Sequence, residues 1–385
     1  MLINSLLDTD LYSFSVMQIA FNKYPTLTTK YKFKCRNDIN LLEIKDKLKN
    51  EISGLCKLIF QSSEIEYLKS LGYFKSNFLN YLKEFRLNPT NVFINEVDNN
   101  LDITIKGTWV DTILFEIPIL AIVNELYFQN IPIDNKICNW GVERLNDKIN
   151  LIQNISDFKF ADFGTRRRYS FDWQENVIQE LSSRLPNNFI GTSNVYYAMK
   201  YGIKPIGTMS HQYLQAFQAI VHPRWSQVEA LEVWSQEYNG KLGIALTDVI
   251  NMDAFLRDFS LKNAELYDGL RHDSGDPIEW GHKAIKFYKR MGINPKKKTL
   301  VFSDGLSVPK ALTIHDHFAH AINVSFGIGT RLTNDVGYVP LNIVIKMVEC
   351  DNLPVAKISD SPGKSMCKDK AYMEYLQSIF IVKEV

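Results

Sequence analysis

The sequence predicts an α/β protein with an α+β N-terminal part followed by an irregular (β/α) barrel. Two observations predict this division. Up to about residue 125, helical and strand-like patterns are mixed. From about residue 157, short apolar runs end in glycine, serine, threonine or aspartate, and most are separated by helix-like stretches. Runs of this kind are typical of parallel strands whose carboxyl ends carry a ligand site.

The N-terminal part is predicted to contain both helices and strands. Asp8-Thr9-Asp10 precedes a periodic apolar run over residues 11–21, which is the pattern of a capped helix. Mixed elements of this kind form an α+β layer. The further elements predicted from alternation and amphipathic periodicity are strands at residues 31–35 and 101–105 and helices at residues 65–71 and 78–85.

The barrel is predicted from eight apolar runs, the number of strands in a (β/α)8 barrel. The helical intervals after residues 194, 305 and 330 are short, so we expect an irregular barrel. The expected domains are residues 1–125, completed by residues 350–385, and a barrel at residues 126–349. The runs are residues 158–164, 188–194, 204–210, 242–248, 266–275, 299–305, 321–330 and 341–348.

Composition limits the class of protein. The 385 residues are 45% hydrophobic and 23% charged, as in globular proteins. The net charge of +1 argues against a nucleic-acid or membrane-surface binder, so any anion site must be local. Five scattered cysteines lack C-x-x-C spacing, and we expect reduced thiols in a cytoplasmic protein. No signal peptide and no membrane span is predicted.

Three consecutive arginines follow the first run, in the segment Asp162-Phe163-Gly164-Thr165-Arg166-Arg167-Arg168. Guanidinium groups match the oxygens of phosphates and carboxylates, so this segment suits a ligand with several anionic groups. The alternative is a solvated charge run at the start of a surface helix.

Four later runs end in residues that suit a phosphate or sugar site. Each segment has a structural alternative: an aspartate-rich helix cap, an ordinary glycine turn, a buried histidine, or a helix cap. A histidine at a barrel mouth can act as an acid, a base or a nucleophile. The segments are Arg271-His272-Asp273-Ser274-Gly275-Asp276-Pro277, Phe326-Gly327-Ile328-Gly329-Thr330-Arg331, Gly207-Thr208-Met209-Ser210-His211 and Ser303-Asp304-Gly305.

No set of metal ligands is predicted among the side chains. His315, His317 and His320 resemble such a set, but on a helix only His317 and His320 would share a face. Two ligands without a third are weak, so a surface helix is favoured.

Six motifs, taken in order, resemble the bacterial type of nicotinate phosphoribosyltransferase. They are the segments at residues 162–168, 207–211, 270–277 and 326–330, together with Gly191-Thr192-Ser193-Asn194 and Ala245-Leu246-Thr247-Asp248. The resemblance extends over nearly the full chain, from residue 6 to residue 364. It implies a fold of the type II phosphoribosyltransferases, in which an N-terminal α/β sandwich packs on an irregular barrel and homodimers carry active sites at their interface.

The resemblance also implies a reaction. Nicotinate and 5-phosphoribosyl 1-diphosphate would give nicotinate mononucleotide and diphosphate, in the salvage route to NAD. ATP would be hydrolysed, with its phosphate carried transiently on His211, and Mg²⁺ would assist the loss of diphosphate. Relatives commonly have Glu and Trp after this histidine, where this chain has Gln212 and Tyr213. A carboxylate that orients His211 must therefore come from elsewhere in the sequence.

In the pyridine half of the site, the resemblance implies that Phe163 stacks on the ring and that Tyr12 of the partner subunit covers its other face. Arg166 and Arg271 would meet anionic groups. Relatives that use nicotinamide carry aspartate at the position of Ser193. A serine there can donate to a carboxylate, so Ser193 is expected to favour nicotinate.

In the sugar-phosphate half, the resemblance implies that Asp248 and Asp273 lie at the ribose side. Carboxylates there would stabilise the positive charge that develops on the sugar, which makes Asp273 a catalytic candidate. Gly329 and Thr330 would bind the 5′-phosphate, and Ser303 is a further phosphate-binding candidate.

Two alternative functions stay open. One is a nicotinamide phosphoribosyltransferase. The other is a non-catalytic sensor of NAD-pathway ligands, which the presence of His211, Arg271 and Asp273 disfavours. A decarboxylating enzyme for quinolinate is also disfavoured, because no second carboxylate pocket is required.

Overall fold

The computed structural model describes residues 1–132, 135–361, 366–367 and 369–380, so residues 362–364 of the family resemblance lie outside it. The strands are β1 (Thr28–Cys35), β2 (Val92–Val97), β3 (Asn100–Thr108), β4 (Phe160–Asp162), β5 (Phe189–Thr192), β6 (Ile244–Leu246), β7 (Gly269–His272), β8 (Thr299–Phe302), β9 (Asn323–Ile328), β10 (Ile343–Cys350) and β11 (Leu353–Pro354).

Helices surround both sheets. They are α1 (Leu11–Lys23), α2 (Lys45–Leu55), α3 (Ser62–Ser70), α4 (Ser76–Glu84), α5 (Trp109–Thr112), α6 (Glu116–Gln129), α7 (Asn135–Ile152), α8 (Phe171–Arg184), α9 (Val195–Tyr201), α10 (His211–Ile220), α11 (Ser226–Tyr238), α12 (Met252–Asp258), α13 (Leu261–Leu266), α14 (Pro277–Arg290), α15 (Val308–Phe318), α16 (Thr330–Thr333) and α17 (Lys370–Phe380). Short 3-10 turns include Ile113–Phe115 and Thr165–Arg167.

The second half of the chain forms a parallel sheet with the strand order β5-β4-β9-β8-β7-β6. This is the order of a (β/α) barrel that is open between β5 and β6. Six of the eight predicted runs supply these strands. Their carboxyl ends meet at one edge, as expected for parallel strands joined by helices. The α/β class and the irregular barrel are thus confirmed.

Two of the eight runs are not barrel strands, so their prediction is wrong. In the third run only an isolated parallel bridge forms, between Thr192 and Pro205. Proline has no backbone N–H to donate and therefore cannot continue a central strand. The eighth run becomes β10, which pairs antiparallel with β1 in the other sheet. The alternation of apolar residues in this run indicates a strand but does not reveal which sheet the strand joins.

The N-terminal part contains an antiparallel sheet with the order β11-β10-β1-β3-β2. Alternate residues of β1 and β3 are buried, as their sequence alternation predicted. The predicted helices are α1, α3 and α4. Asp10 occupies the N-cap of α1, but its side chain does not cap the helix. Among the described helices, none combines the length and the apolar character that a membrane span requires.

Candidate active site

Two connected cavities lie at the carboxyl ends of the parallel strands. The first, called here the aromatic cavity, has a volume of about 100 Å³, and the second, called the basic cavity, about 350 Å³. Every predicted site residue except Asp248 lines at least one of them. Both cavities are lined by Phe163, Arg166, His211 and Arg271; the aromatic cavity adds Tyr12 and Ser193, and the basic cavity adds Asp273, Ser303, Gly329 and Thr330.

The Phe163 ring is positioned by its backbone and by a glycine. Phe163 follows β4, and its N–H donates to the carbonyl of Ile328 at 2.9 Å. A Cβ on Gly327 would lie 2.3 Å from Cδ2 of the ring, and a Cβ on Gly329 would lie 2.9 Å from the Phe163 carbonyl oxygen. Glycine is thus required at both positions of the seventh run, because any larger residue would displace Phe163.

Tyr12 lines the aromatic cavity of its own chain, next to Phe163 and Arg166. The segment before it is anchored to the barrel. The N–H of Leu11 donates to the Ser193 carbonyl at 2.8 Å. The chain therefore supplies its own Tyr12 to this cavity, whereas the family resemblance implied the Tyr12 of a partner subunit.

Ser193 donates to a carboxylate of the protein. Its Oγ lies 2.7 Å from Asp10 Oδ1, and burial raises the pKa of Asp10 although this bond opposes the shift. The sequence suggested that Ser193 would donate to the ligand instead. Asp10 and Glu116 place two carboxyl groups in the aromatic cavity. Arg166 and Arg271 therefore share this cavity with acidic groups of the protein.

The three consecutive arginines have different environments. Arg166 lines both cavities, and Arg167 lines the basic cavity while its Nε donates to the Ile343 carbonyl at 2.9 Å. Arg168 is fully buried and forms two bonds with Asp8, at 2.7 and 2.8 Å. The prediction that all three bind an anionic ligand is wrong for Arg168, because its charge is already paired.

Most of the charged residues that line the basic cavity are cationic. Arg271 is held by two hydroxyl groups, since its Nη1 donates to Thr208 Oγ1 at 2.7 Å and its Nε to Ser303 Oγ at 3.1 Å. An excess of positive charge in one pocket suits a ligand with several phosphates. The charged residues lining this cavity are Arg36, Arg166, Arg167, Arg271, Arg331, Lys346 and Lys357, against Asp273 and Asp304.

His211 lies where the two cavities meet and is the first residue of α10, a position whose free backbone N–H groups favour anions. Its Nε2 lies 2.8 Å from Asp248 Oδ1 and 3.6 Å from Asp273 Oδ2. Burial and the nearby ammonium of Lys357 lower the pKa of His211 to about 4. The imidazole is therefore neutral near pH 7.

Asp248 fixes the tautomer of His211. Burial alone would raise the pKa of Asp248, but His211 and Lys357 outweigh it and hold this pKa well below the usual range. An ionised carboxylate only accepts hydrogen bonds, so the proton of the imidazole is on Nε2 and the lone pair is on Nδ1. Relatives commonly have Glu where this chain has Gln212, and here Asp248 supplies the carboxylate that orients His211.

Asp248 is 1% exposed and lines neither cavity, and its expected place at the ribose side stays a prediction. Its second oxygen, Oδ2, accepts from Ser274 Oγ at 2.6 Å and from Lys357 Nζ at 2.6 Å. His211, Asp248 and Asp273 each offer a ligand atom within 4.8 Å of the others. Lys357 pairs with Asp248, and Lys357 and Arg271 both lie 3.7 Å from Asp273, so we interpret the group as an ion-pair network.

The three histidines set aside in the sequence do not share one face. His315 is buried, while His317 Nε2 lies 2.8 Å from Nε2 of His282 on α14. His320 follows the end of α15. The expected surface helix is therefore correct only for part of this segment.

Four residues that line the cavities were not predicted from the sequence: Arg36, Glu116, Lys346 and Lys357. Arg36 follows β1, Lys346 lies in β10, and Glu116 begins α6, so these side chains come from the N-terminal sheet and its neighbouring helix. Lys357 follows β11. None of them belongs to a strand of the barrel, and a single lysine or glutamate in an apolar stretch carries no motif.

Comparison with known proteins identifies the family of this chain. The model of the nicotinate phosphoribosyltransferase (NAPRTase) family matches residues 158–384, and that of the NAPRTase N-terminal domain matches residues 7–124. A nicotinate phosphoribosyltransferase of Burkholderia mallei is 50% identical, covering 99% of this chain and 97% of the relative. One of Bordetella pertussis is 49% identical, covering 99% and 95%.

Solved structures give the same answer. A crystal structure of nicotinate phosphoribosyltransferase from Vibrio cholerae has a TM-score of 0.94 at 38% identity and covers 99% of this chain and 94% of that one. One from Porphyromonas gingivalis has a TM-score of 0.93 at 34% identity and covers 98% and 100%. With family models matching most of its length and relatives near 50% identity, the chain belongs to the nicotinate phosphoribosyltransferase family.

Proposed function

We propose that this chain transfers the phosphoribosyl group of 5-phosphoribosyl 1-diphosphate to nicotinate, giving nicotinate mononucleotide and diphosphate for NAD synthesis, with hydrolysis of ATP. The observation that carries the proposal is the position of His211, between an aromatic cavity and a basic one. The first suits a pyridine ring and the second a sugar carrying phosphates. Family membership favours nicotinate over nicotinamide.

The proposed roles in the aromatic cavity follow from its lining. The rings of Phe163 and Tyr12 would contact the two faces of the pyridine. Arg166 and Arg271 line both cavities, so they would attract the carboxylate of nicotinate in the aromatic cavity and the diphosphate in the basic cavity. Stacking would orient the nitrogen of nicotinate toward the anomeric carbon of the phosphoribosyl group. This orientation would lower the entropic cost of the attack of the nitrogen on that carbon.

The proposed roles in the basic cavity concern charge. As the diphosphate leaves, the sugar gains positive charge and the leaving group negative charge. Asp273 would stabilise the first and Arg271 the second. Gly329 and Thr330 would bind the 5′-phosphate, because backbone N–H groups at a strand-to-helix turn point toward an anion. Ser303 holds Arg271 Nε at 3.1 Å and accordingly acts on the phosphates through it.

His211 is proposed as the acceptor of the ATP γ-phosphoryl group. Because Asp248 accepts the Nε2 proton, the nucleophilic lone pair is on Nδ1. The Nδ1–P bond forms as the bond from phosphorus to ADP breaks, and later hydrolysis of the phosphoramidate releases phosphate. Asp248 stabilises the positive charge that develops on the imidazole during the attack.

Mg²⁺ is part of the proposal and fits the oxygen atoms of the basic cavity. Asp304 and Asp273 are the carboxylates there, and Mg²⁺ prefers oxygen ligands. Asp273 also lies 3.7 Å from Arg271 Nη2 and from Lys357 Nζ, so we expect substrate phosphates to hold the ion more than the protein does. When bound, the ion would supply positive charge to the leaving diphosphate.

A cytoplasmic location and a homodimer also stay predictions. Tyr12 belongs to its own chain's cavity, so a dimer is not needed to supply that ring. Sedimentation measurements at micromolar protein would show whether the chain is a dimer in solution.

Turnover tests the function directly. We expect diphosphate release to depend on both nicotinate and 5-phosphoribosyl 1-diphosphate, to be stimulated by ATP and to be far slower with nicotinamide. A sensor would bind these compounds without releasing diphosphate. Release with nicotinamide at the same rate would favour the alternative enzyme instead.

A further inference from the structure

One ionisable side chain that lines the aromatic cavity, Glu116, takes no part in the steps proposed above. Glu116, the first residue of α6, is 9% exposed and lines the cavity with Tyr12 and Arg166. Gln212 Nε2 donates to Glu116 Oε2 at 2.8 Å, and the side chains of Tyr12 and Glu116 are hydrogen-bonded. A carboxyl group therefore lies within the pocket proposed for a substrate that is itself a carboxylate.

The orientation of Gln212 defines which oxygen of Glu116 can carry a proton. Gln212 Oε1 lies 2.7 Å from the Tyr31 hydroxyl and 3.4 Å from Trp109 Nε1. The indole N–H can only donate, so Gln212 turns its oxygen toward Trp109 and its NH₂ toward Glu116. Oε2 of Glu116 accordingly stays an acceptor, and a proton would be carried by Oε1.

The surroundings of Glu116 bring its pKa close to neutral pH. Burial raises the pKa of Glu116 to about 7, although Arg166 opposes the shift. Small changes of nearby charge can therefore protonate or ionise it. The titratable and charged groups that face it or share its cavity are Asp10 and Tyr12 at the start of α1, Tyr31 of β1, Arg166 after β4, His211 of α10, Arg271 of β7 and Lys346 of β10.

We propose that nicotinate binds together with one proton taken up from solvent by Glu116, which makes Glu116 a residue that determines specificity for the acid. The proposal rests on the proposed function. A bound carboxylate adds a negative charge to a cavity that holds Asp10 and Glu116, and protonation of Glu116 removes one of these charges. Anionic nicotinate, anionic Glu116 and H⁺ thus give a complex with neutral Glu116. Nicotinamide is neutral and requires no such uptake.

Calorimetry of nicotinate binding to the full chain tests this. Titrations in two buffers with different ionisation enthalpies, at pH 7.5, give the number of protons taken up per nicotinate. We expect uptake of more than half a proton per nicotinate. Above pH 7 the Kd for nicotinate should increase with pH, with a limiting slope of about tenfold per pH unit. Glu116→Gln should abolish the uptake and make the affinity independent of pH between 6 and 8.

A second glutamate of α6 provides a matched control. Glu125 is buried and its pKa is raised to about 7 by burial, but its Oε2 accepts from the Phe171 N–H at 3.0 Å, outside the cavity. Glu125→Gln should keep the uptake. Two other groups of the cavity are rival acceptors: burial lowers the pKa of Lys346 to about 7, and burial raises the pKa of Asp10. Uptake that survives Glu116→Gln would overturn the proposal, and its loss in Lys346→Met would then assign it to Lys346.

The wild-type titration decides the matter even where a variant does not fold. Nicotinate binding without proton uptake at pH 7.5 would refute the role of Glu116 while leaving the proposed function intact. Failure to form nicotinate mononucleotide at any pH would instead refute the proposed function.

Discussion

Ser193 and Asp10 share a hydrogen bond of 2.7 Å, so a substitution at Ser193 acts on a carboxylate that is already present. Ser193→Asp would place two carboxyl groups side by side and add negative charge near the bound nicotinate. We expect a loss of about 1–3 kcal/mol in kcat/KM for nicotinate relative to nicotinamide. Ser193→Asn, which adds no charge, is the control. An unchanged preference in Ser193→Asp would show that charge at this position does not select the substrate.

The buried pair of Arg168 and Asp8 is predicted to stabilise the fold. Arg168→Leu leaves the Asp8 carboxylate buried without its cation, which should cost about 3–5 kcal/mol of unfolding free energy in urea titrations. Arg184, paired with Glu180 on an exposed helix surface, provides the comparison. Arg184→Leu should cost less than about 1 kcal/mol. Equal effects would mean that burial of the pair is unimportant.

Arg168 also shows that the role of a single residue cannot always be predicted from the sequence. Sequence identified Arg166, Arg167 and Arg168 as equivalent charges, because their side chains are identical and adjacent. Their different roles depend on partners such as Asp8, which lies 160 residues away. In the same way, the carboxylate that orients His211 was expected from a distant position, but only the structure identifies Asp248.

At the scale of elements, β9 provides the surface on which Phe163 rests. In Gly327→Ala the new methyl group would lie 2.3 Å from the ring, so Phe163 must move. We expect a raised KM for nicotinate with little change in the KM for 5-phosphoribosyl 1-diphosphate. In the background of Phe163→Leu the same substitution should cost less, because the ring is absent. Additive effects of the two changes would contradict this packing.

Most barrel strands could be predicted because each is a short apolar run that ends in polar residues. The run at residues 204–210 has the same appearance, but Pro205 prevents regular pairing and leaves the barrel open beside α10. The run at residues 341–348 alternates like a half-buried strand, but its partner β1 lies more than 300 residues earlier in the chain. The local sequence pattern does not predict which distant strand β10 pairs with.

For the whole molecule, the decisive difference from the family expectation is the position of Tyr12. Because Tyr12 and His211 line the same cavity of one chain, mixing inactive Tyr12→Ala and His211→Ala chains should not restore activity. Each mixed assembly would still contain one defect per site. Recovered activity, in subunits shown to exchange, would mean that Tyr12 acts in a neighbouring chain.

The whole site is assembled from distant parts of the chain. Barrel strand ends supply Phe163, Arg271 and Asp273, and these could be predicted from motifs. The N-terminal sheet contributes Lys346, and the segment after β11 contributes Lys357. Their contribution depends on how the two sheets pack, which no local pattern describes.

Labelling with ATP tests whether His211 accepts the γ-phosphoryl group. With ATP carrying a labelled γ-phosphate, the account predicts an adduct on His211 that is labile in acid and stable in base, linked through Nδ1, and discharged when substrates are added. His211→Ala should lose both the adduct and ATP hydrolysis, while keeping slow ATP-independent transfer, because the ring and sugar contacts survive. An adduct that persists in His211→Ala, or ATP hydrolysis at the normal substrate-stimulated rate in that variant, would contradict the account.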